Sequence, residues 1–421
     1  MNILQIVHCF PPESMTGSEI CAYNLSKRLS NDHKVSIFYR TNNRAEEEYR
    51  VTKDTYEGMD IYKINNTLRD YSSLENIYKN TTIEDRFLKV LDEVNPDIVH
   101  IHHLLFLSTG IIKEIKKRNI PIIFTLHDYW LICPRGQLLK ANLNICKGSA
   151  DIDNRCLRCL ASAVNLKNLF KKICRFLVKR QFFQNAVLDL RAIYNNVDLF
   201  IAPSNFLRKK FIEFGLPPEK IIYSDNGMNL DLFKDVDKIK SDKIRLGFIG
   251  TLIPSKGVHV LIKAFNNIKN DKAILKIYGK APVNNGIFDY SHKIKRMAGH
   301  NKNIRFMGIF DNKDAAEIFR EIDVLIVPSL WEENSPLVLH EAILTKTPVI
   351  ASNLGGVSEL IEHTKNGLLF KAGDSVDLFA QIQKILEIPY SAEKIKTQCV
   401  KIKDIEDNCK EIENIYNGIL N

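Results

Sequence analysis

The sequence predicts an α/β protein built from two doubly wound parallel-sheet domains. Short apolar runs of strand length alternate with amphipathic helical patterns along almost the whole chain. The runs are apolar throughout, which is typical of parallel strands covered by helices on both faces of a sheet. The chain has 421 residues, more than one hydrophobic core normally serves, so two or three domains are expected.

The strands form two series, one in each half of the chain. The first is predicted at residues 2–7, 34–39, 59–64, 96–103, 121–128 and 197–204, with helices near 18–30, 81–94, 105–118 and 165–195. The second is predicted at 243–250, 273–279, 303–308, 322–329, 347–352 and 367–370. The two series meet in the polar, proline-bearing stretch 204–242, where we place the domain boundary.

Charge and hydropathy exclude some classes of protein. Lysine and arginine total 59 against 50 aspartate and glutamate, a net charge of +9 that permits acidic partners without naming them. No run of eighteen apolar residues occurs, and the opening segment MNILQIVHCFPPE lacks a basic region ahead of its apolar residues. Neither a membrane-spanning helix nor a signal peptide is indicated, so the expected location is cytoplasmic.

The positive charge is concentrated in one segment. From Asn154 to Leu188 there is no acidic residue, and residues 165–183 interleave Lys and Arg with Leu, Phe and Ile. A basic amphipathic helix there suits peripheral contact with an anionic membrane, as on the inner face of the cell membrane. The alternative is a packed helix with a solvated basic face. Nucleic acid is not an expected partner, because no known binding motif accompanies the charge.

Four of the nine cysteines lie in one segment, and these are Cys133, Cys146, Cys156 and Cys159. A reducing compartment argues against a disulfide framework. Four thiolates can hold a structural zinc ion, although the usual signature has two closely spaced pairs and this segment has one. A zinc site and partly buried free cysteines are therefore both open interpretations.

Glu333 and Glu341 stand on either side of a Ser-Pro pair that predicts a helix start, with Ser335 as N-cap and Pro336 at the first helical position. Position 338 is valine, so the Glu or Gln of a capping box is absent and the first-turn amides remain available to an anion. Two carboxylates so spaced suit the two ends of an elongated ligand. The alternative is that Glu332 and Glu333 simply favour the positive end of the helix.

Ligands of open parallel sheets bind beyond the carboxyl ends of the strands, so residues there are informative. Gly17, just before a helix, lets the backbone approach a ligand closely. Lys256, in GTLIPSKG, lies between a strand end and a helix, where an ammonium group can meet phosphate. His127 follows a strand and can bind a substrate. The plainer interpretations are a turn glycine, a solvated lysine and a structural histidine, with His100, His102 and His103 as competitors for the last role.

Taken in order, these pieces resemble the retaining glycosyltransferases of family 4. The resemblance covers nearly the whole chain and rests on FPPESMTGSE, DIVHIHH, TLHDYWLICPRG, APSNF, NGMNLDLF, GFIGTLIPSKGV, YGK, FMG, VPSLWEENSPLVLHEA, TPVIAS, GGVSELI and NGLLF. It implies the GT-B architecture, two facing Rossmann-like domains with an interdomain cleft. Residues 1–205, with a cysteine-containing insert at about 130–190 and the C-terminal helix at about 405–421, would form the acceptor-side domain. Residues 206–404 would bind the nucleotide sugar.

The resemblance also implies roles for individual residues. Glu341 is expected to bind the ribose hydroxyls and Glu333 to lie near the transferred sugar. Lys256 is expected to neutralise the diphosphate, and His127 to face the sugar. His127, Lys256 and Glu333 are the expected catalytic residues. The donor-binding set is Gly17, Gly250, Thr251, Lys256, Glu333, Asn334, Ser335, Leu337, Val338 and Glu341.

The implied reaction is metal-independent sugar transfer with retention, by front-face attack of an acceptor hydroxyl as the nucleotide diphosphate leaves. The donor would be a UDP- or GDP-sugar, with no cofactor needed for catalysis, and the acceptor a saccharide or lipid-linked saccharide. Thr251 departs from the family pattern, because many members carry Arg there, and Arg245 in a buried strand is a poor substitute. Two rival functions stay open: an inactive carbohydrate- or lipid-binding scaffold, and a nucleotide-sugar hydrolase or epimerase.

Overall fold

A computed structural model describes residues 1–70, 78–148, 156, 159, 192–268, 271–281, 290–387 and 400–421. Two separate sheets organise these residues, and each is covered by helices. The predicted architecture of two doubly wound parallel-sheet domains is confirmed. The predicted boundary at residue 205 stays a prediction, and the first sheet continues to residue 223.

The first sheet has eight strands in the order β3-β4-β2-β1-β5-β6-β7-β8. All neighbours pair in parallel except β3 and β4, which form an antiparallel hairpin at one edge. The strands are β1 (Asn2–Val7), β2 (Lys34–Thr41), β3 (Val51–Tyr56), β4 (Met59–Asn65), β5 (Ile98–Ile101), β6 (Ile122–Thr125), β7 (Leu199–Ala202) and β8 (Ile221–Tyr223).

Helices cover both faces of this sheet, because their apolar sides pack on the strands in two core clusters. They are α1 (Gly17–Leu29), α2 (Thr81–Val94), α3 (Ile111–Lys116) and α4 (Asn205–Glu213). The predicted helix at 105–118 is thus shorter than expected. Of the helix predicted at 165–195, residues 165–191 lie outside the described part, and residues 192–196 are helical.

The second sheet is parallel throughout, with six strands in the order β11-β10-β9-β12-β13-β14. They are β9 (Ile244–Ile249), β10 (Ala273–Tyr278), β11 (Ile304–Gly308), β12 (Val324–Val327), β13 (Val349–Ser352) and β14 (Leu368–Phe370). Its helices are α5 (Val258–Phe265), α6 (Tyr290–Ala298), α7 (Ala315–Arg320), α8 (Leu337–Leu344), α9 (Val357–Leu360) and α10 (Ser375–Glu387).

The last helix, α11 (Ile405–Leu420), returns to the first sheet. Cys409, Ile412 and Tyr416 are buried in the same core cluster as β1 and β2. The two connections between the sheets run side by side, because Met228 donates to the Lys403 carbonyl at 3.0 Å. The segment after β8, residues 224–229, is called the linker loop below.

Candidate functional site

The loop after β12, residues 329–336, carries the first of the two predicted glutamates. Glu333 is only 4% exposed, and its Oε1 atom accepts two hydrogen bonds. Ser329 donates through Oγ at 2.6 Å, and the Lys256 ammonium donates at 2.6 Å. A buried carboxylate needs such partners, because an unpaired charge away from water is costly. The fold therefore brings together Lys256 and Glu333, which are 77 positions apart in the sequence.

Lys256 is placed by a single 3₁₀ turn, Pro254–Lys256, that follows β9. The turn ends at Gly257, whose φ is +72°, and a Cβ atom there would lie 1.8 Å from the Pro328 carbonyl oxygen. Only glycine permits this approach. The ammonium group of Lys256 also lies over the Trp331 ring, 5.6 Å from its centroid, which adds a cation–π attraction.

Two glycines hold the backbone of the 329–336 loop. The Gly356 amide donates to the Glu333 carbonyl at 2.7 Å. A Cβ atom at Gly355 would lie 2.4 Å from the Glu333 carbonyl oxygen, and one at Gly356 would lie 1.7 Å from that of Asn334. The loop thus rests at a distance that any larger residue would prevent.

Helix α8 begins one residue later than predicted. Pro336, rather than Ser335, is the N-cap residue, and Leu337 is the first helical residue. The reason is a competing hydrogen bond: the Ser335 hydroxyl donates to the Asp225 carboxylate at 2.8 Å and so does not cap the helix. Among the described residues no side chain caps the first turn, and that turn holds no acidic residue. Its amides, which include Leu337 and Val338, suit an anion.

Glu341 lies in the second turn of α8. Burial raises the pKa of its carboxyl group to about 7, against the opposing effect of the neighbouring His340 charge. Within the described part of the chain, its carboxyl oxygens have no hydrogen-bond partner. A carboxylate in that position can accept hydrogen bonds from ligand hydroxyls.

The 329–336 loop also contacts the first domain. The Asn334 side chain accepts a hydrogen bond from Ser204 at 2.7 Å and donates to the Leu126 carbonyl at 3.3 Å. Tyr129 donates to the Glu332 carbonyl at 2.9 Å. Asn334, predicted to bind the donor, therefore uses its side chain to join the two domains. These bonds place the 329–336 loop beside the carboxyl end of β6.

His127 follows β6 and is the outer member of a hydrogen-bonded histidine chain. Its Nε2 atom lies 3.0 Å from His102 Nδ1, and His102 Nε2 lies 2.9 Å from the Gln5 side-chain oxygen. The Gln5 amide in turn donates to the Tyr416 hydroxyl at 3.4 Å, and that hydroxyl lies 2.6 Å from His100 Nδ1. The chain continues inside the fold, because His100 Nε2 lies 2.7 Å from the Thr125 hydroxyl oxygen at the end of β6.

The partners assign the tautomers. The Gln5 oxygen only accepts, so His102 carries its proton on Nε2 and accepts through Nδ1 from His127. Burial keeps both rings neutral: it lowers the pKa of His102 well below its usual value and that of His127 to about 4, with repulsion between the histidines as a smaller cause. His127 then presents a bare Nδ1, which can accept a hydrogen bond from a sugar hydroxyl.

Two carboxylate–imidazole pairs lie near His127. Glu19 in α1 is 3.2 Å from His8 Nε2, and Asp128 is 3.4 Å from His103 Nε2. Burial acts to raise the pKa of Glu19, but the hydrogen bond and charge of His8 lower it to about 2. The His103 and His8 rings lie 4.7 Å apart between centroids.

The remaining predicted donor residues lie at the start of a helix or just after a strand. Gly17 is the first residue of α1, and a Cβ atom there would meet nothing within 4 Å. Gly250 and Thr251 follow β9 directly. Gly250 lies against Gly279, where a Cβ atom would be 1.9 Å from the Gly250 carbonyl oxygen. Arg245 is paired with Asp323 at 2.6 Å inside the second domain, so it does not replace the family arginine.

The cysteine and membrane predictions are not settled by the geometry. No group of three or more His, Cys, Asp or Glu with a metal-binding arrangement occurs in the described ranges, which include Cys133, Cys146, Cys156 and Cys159. The zinc site therefore stays a prediction. Residues 165–183 lie outside the described part. In the part that is described, every helix is too short or too polar to cross a membrane.

Sequence reasoning missed Asp225 and His340. His340 Nε2 lies 3.1 Å from the Asp225 carboxylate, and the two residues are 115 positions apart. Their signal was present in part, since Asp225 directly precedes the segment NGMNLDLF and His340 directly precedes Glu341. Only the folded chain shows that they form a pair.

Two family models and several known proteins match this chain. A model of Glycosyltransferase Family 4 matches residues 15–232, and a model described as Glycosyl transferases group 1 matches residues 231–401. An uncharacterized 42.6 kDa protein in the cps region of Klebsiella pneumoniae is 26% identical over 99% of this chain and 100% of its own length. D-inositol 3-phosphate glycosyltransferase 2 of Catenulispora acidiphila is 26% identical over 42% of this chain and 45% of its own length. This chain thus spans less than half the length of that second relative.

Solved structures of similar fold cover the whole chain. Anabaena Alr3699/HepE in complex with UDP and glucose has a TM-score of 0.69 at 18% identity, with 99% of each chain covered. The lipopolysaccharide outer core galactosyltransferase WaaB has a TM-score of 0.59 at 16% identity, again with 99% of each chain covered. These likenesses support the GT-B fold. The model of Glycosyltransferase Family 4 matches more than half of the 421 residues, so the chain belongs to that family.

Proposed function

We propose that the protein transfers a sugar, with retention of anomeric configuration, from a nucleotide-diphosphate donor to a hydroxyl acceptor. The observation that carries this proposal is the 2.6 Å pair between Lys256 and Glu333, whose glutamate lies on the loop that leads into the uncapped first turn of α8. In one bound donor, Glu333 would lie near the sugar, Lys256 and the helix amides near the diphosphate, and Glu341 near the ribose. Glu341, without a protein partner in the described residues, is the ribose ligand in this proposal.

The proposed chemistry depends on positioning and on charge. The Lys256 ammonium and the α8 amides would stabilise the negative charge that develops on the leaving diphosphate. These groups supply the positive charge that a metal ion supplies in other enzymes, which is why we propose metal-independent transfer. His127 would accept a hydrogen bond from the donor sugar through Nδ1. The acceptor hydroxyl would attack from the same face and give its proton to a leaving-group oxygen.

The proposed donor is a UDP- or GDP-sugar. The UDP complex of the structurally similar Anabaena protein supports a UDP-sugar first, although that likeness is one of fold. For the acceptor we propose a surface polysaccharide, a lipopolysaccharide or a glycolipid, without nucleic acid as a partner. The relative from the Klebsiella cps region, matched end to end, supports this class.

The test is a calorimetric titration with UDP, GDP and ADP in the presence of a chelator. Wild type, Glu341→Ala and Lys256→Ala are compared, with Lys276→Ala as a matched control because Lys276 forms a 2.7 Å pair with Glu321 elsewhere in the second domain. We expect one nucleotide to bind, with weaker binding in the two site variants and unchanged binding in the control. Binding of none of the three would leave the non-catalytic scaffold as the better account.

Turnover separates the transferase from the remaining rival. A hydrolase or epimerase would release or rearrange the sugar of the bound nucleotide without an added acceptor. A transferase consumes the donor only when an acceptor is present, and its product keeps the anomeric configuration of the donor. Proton NMR of the anomeric signals measures both donor consumption with and without acceptor and the anomeric configuration of the product.

Peripheral attachment to the inner face of the cell membrane is a second part of the proposal. It rests on the basic residues of segment 165–183, and the expected location is the cytoplasm or its membrane surface. The test is flotation with anionic vesicles before and after neutralisation of Lys171, Lys172, Arg175 and Lys179. Equal flotation of both proteins would contradict the proposal.

A further inference from the structure

His340 is a fully buried histidine in the helix that carries Glu341. It is 0% exposed and lies in the first turns of α8, directly before Glu341. Its Nε2 atom is 3.1 Å from an oxygen of the Asp225 carboxylate, and its Nδ1 atom is 3.2 Å from the Pro336 carbonyl oxygen. Asp225 also accepts the hydrogen bond from Ser335. Ser335 and His340, two polar groups at the start of α8, are therefore tied to a single carboxylate.

The oxygen nearest to each ring nitrogen of His340 can only accept: the Pro336 carbonyl at Nδ1 and the Asp225 carboxylate at Nε2. The Ser335 hydroxyl oxygen also lies 3.4 Å from Nε2, but that hydroxyl already donates its proton to Asp225. A carbonyl oxygen and a carboxylate oxygen have no proton to donate, and a neutral imidazole has only one N–H group. Both contacts are satisfied only when the ring carries a proton on each nitrogen. Burial alone would lower the pKa of His340, but the hydrogen bond and charge of Asp225 raise it. The contact geometry and the charge balance thus agree.

Asp225 connects His340 to the linker loop between the domains. It lies in the linker loop, and its backbone carbonyl accepts a hydrogen bond from Asn408 of α11 at 3.0 Å. Gly227 in the same loop packs so closely on α11 that a Cβ atom would lie 2.6 Å from Asn408 Cβ. The linker loop is therefore fixed to the first domain by its backbone and to α8 by the Asp225 side chain.

We propose that His340, as an imidazolium ion bound between Asp225 and the Pro336 carbonyl, positions the first turn of α8 for the donor diphosphate and couples that turn to the linker loop. His340 and Asp225 are positioning residues: neither is placed in contact with the donor. If the ring lost its proton, Asp225 would be left as an uncompensated buried charge near the helix amides, and an anionic ligand would bind more weakly. This inference rests on the proposed function.

Other charged groups face the pair from the elements packed around it. Glu341 lies on the same helix and favours the imidazolium form. Cys21 in α1 lies near Asp225. Burial of the Cys21 thiol, and then the negative charge of Asp225, raise its pKa, so the thiol is uncharged near neutrality. Lys403 contacts Ser224 at 3.2 Å and is paired with Glu411 at 2.6 Å. Neither Cys21 nor Lys403 supplies a second counter-ion to His340.

The first experiment reads the protonation state directly. Protein labelled with ¹⁵N in its histidine rings is examined by NMR at pH 7.5, and the His340 signals are assigned by their loss in His340→Gln. We expect the two His340 nitrogens to show the similar shifts of an imidazolium, and the ring to become neutral in Asp225→Asn. His259 is an internal reference for a neutral ring, because burial lowers its pKa to about 4. A neutral His340 in wild type would overturn the proposal.

The second experiment measures the coupling to the donor site. Dissociation constants for UDP and GDP are determined at pH 7.5 for Asp225→Asn, His340→Gln and the double variant. Each single change should weaken binding on the order of tenfold, with no further loss in the double variant, because the residues act as one unit. Asp323→Asn, which removes a 2.6 Å pair with Arg245 away from α8, should leave binding unchanged. Additive losses, or unchanged affinity in both single variants, would contradict the coupling.

The two experiments fail separately. If wild type binds none of UDP, GDP and ADP, the proposed function is lost, and the NMR measurement still decides the state of His340. If a nucleotide binds and His340 is neutral, the function stands and the inference falls. Urea unfolding of each variant shows whether a weaker affinity merely follows a loss of fold.

Discussion

The Lys256 ammonium lies 2.6 Å from one carboxylate oxygen of Glu333, and Ser329 donates to that same oxygen. The other oxygen of Glu333 has no partner among the described residues. Glu333 can therefore hold Lys256 in place and still accept a hydrogen bond from a ligand hydroxyl. Lys256 in turn has two further N–H groups for a diphosphate.

We expect Lys256→Ala to lower kcat by about 100-fold or more, because one preorganised positive charge at the leaving group is lost. Lys256→Arg, which keeps the charge, should recover part of the loss. Lys276→Ala is the control, since it removes a comparable ion pair from strand β10. Steady-state kinetics with the donor found by calorimetry measure all three. Equal losses in Lys256→Ala and the control would contradict a specific role for Lys256.

Nucleotide binding should release a proton from Glu341. Burial raises the pKa of its carboxyl group to about 7, and an ionised carboxylate accepts hydrogen bonds from ribose hydroxyls more strongly than the neutral acid does. At pH 7, roughly half a proton per site should be released, and affinity should rise between pH 6 and 8. Calorimetry in buffers of different ionisation enthalpy measures the release. Subtracting the value for Glu341→Gln removes protons that come from the phosphate itself, and no difference between the two would sink the prediction.

The Glu341 carboxyl group should make the folded protein less stable as pH rises, although the same rise in pH strengthens nucleotide binding. Its pKa is raised in the folded state, so the folded protein holds the proton more tightly than the unfolded chain does. Its contribution to the free energy of unfolding therefore falls as pH rises from about 4.5 to about 7. At pH 8, Glu341→Gln should be more stable than wild type in urea unfolding while it binds nucleotide more weakly. Equal stability at pH 8 would show that burial of Glu341 is not costly.

Gly356→Ala should displace the 329–336 loop and weaken nucleotide binding. The new Cβ atom would lie 1.7 Å from the Asn334 carbonyl oxygen, so one of the two backbones must move. Gly418→Ala is the control, because its Cβ atom meets nothing within 4 Å on the surface of α11. That control should change the free energy of unfolding by about 1 kcal/mol at most, in the stabilising direction. Normal affinity in Gly356→Ala would show that the loop tolerates displacement.

Tyr416→Phe should lower the free energy of unfolding by about 1–3 kcal/mol, because the buried Gln5 amide and the Nδ1 atom of His100 lose the hydroxyl that they contact. Tyr194→Phe is the matched control: Tyr194 is largely buried against Phe200, and its hydroxyl has no partner within the described residues. Urea unfolding measures both. The Tyr416 variant should also lower kcat, since the histidine chain orients His127. A pair of variants with equal stability would refute the assigned chain.

The parts of the fold that were predicted correctly are those with a strong local signal. Twelve apolar runs predicted strands, and each coincides with an observed strand. Strand β3 was missed because VTKDTY is polar and lies on an exposed edge, and β8 was missed because it has only three residues. In both cases the pairing partner, and not the local sequence, makes the segment a strand.

The candidate site divides in the same way. Lys256, Glu333 and Glu341 were found from spacing and from resemblance, because each lies next to a recognisable strand end or helix start. Ser335 was assigned as the helix cap on local preference, and a distant carboxylate overrides that preference. Asp225 and His340 were missed because their contact joins the linker loop to α8, across 115 positions of the sequence.

The position of helix α11 determines the order in which the two domains can fold during synthesis. Domains are commonly completed one after another as a ribosome releases the chain. Here the first domain cannot be completed until α11 has been synthesised. Cys409, Ile412 and Tyr416 fill its core, and the Tyr416 hydroxyl contacts buried groups on β1 and β5. During synthesis the second domain would therefore form while the first still exposes apolar surface. A ribosome stalled before residue 405 should carry a nascent chain whose second half resists protease and whose first half does not.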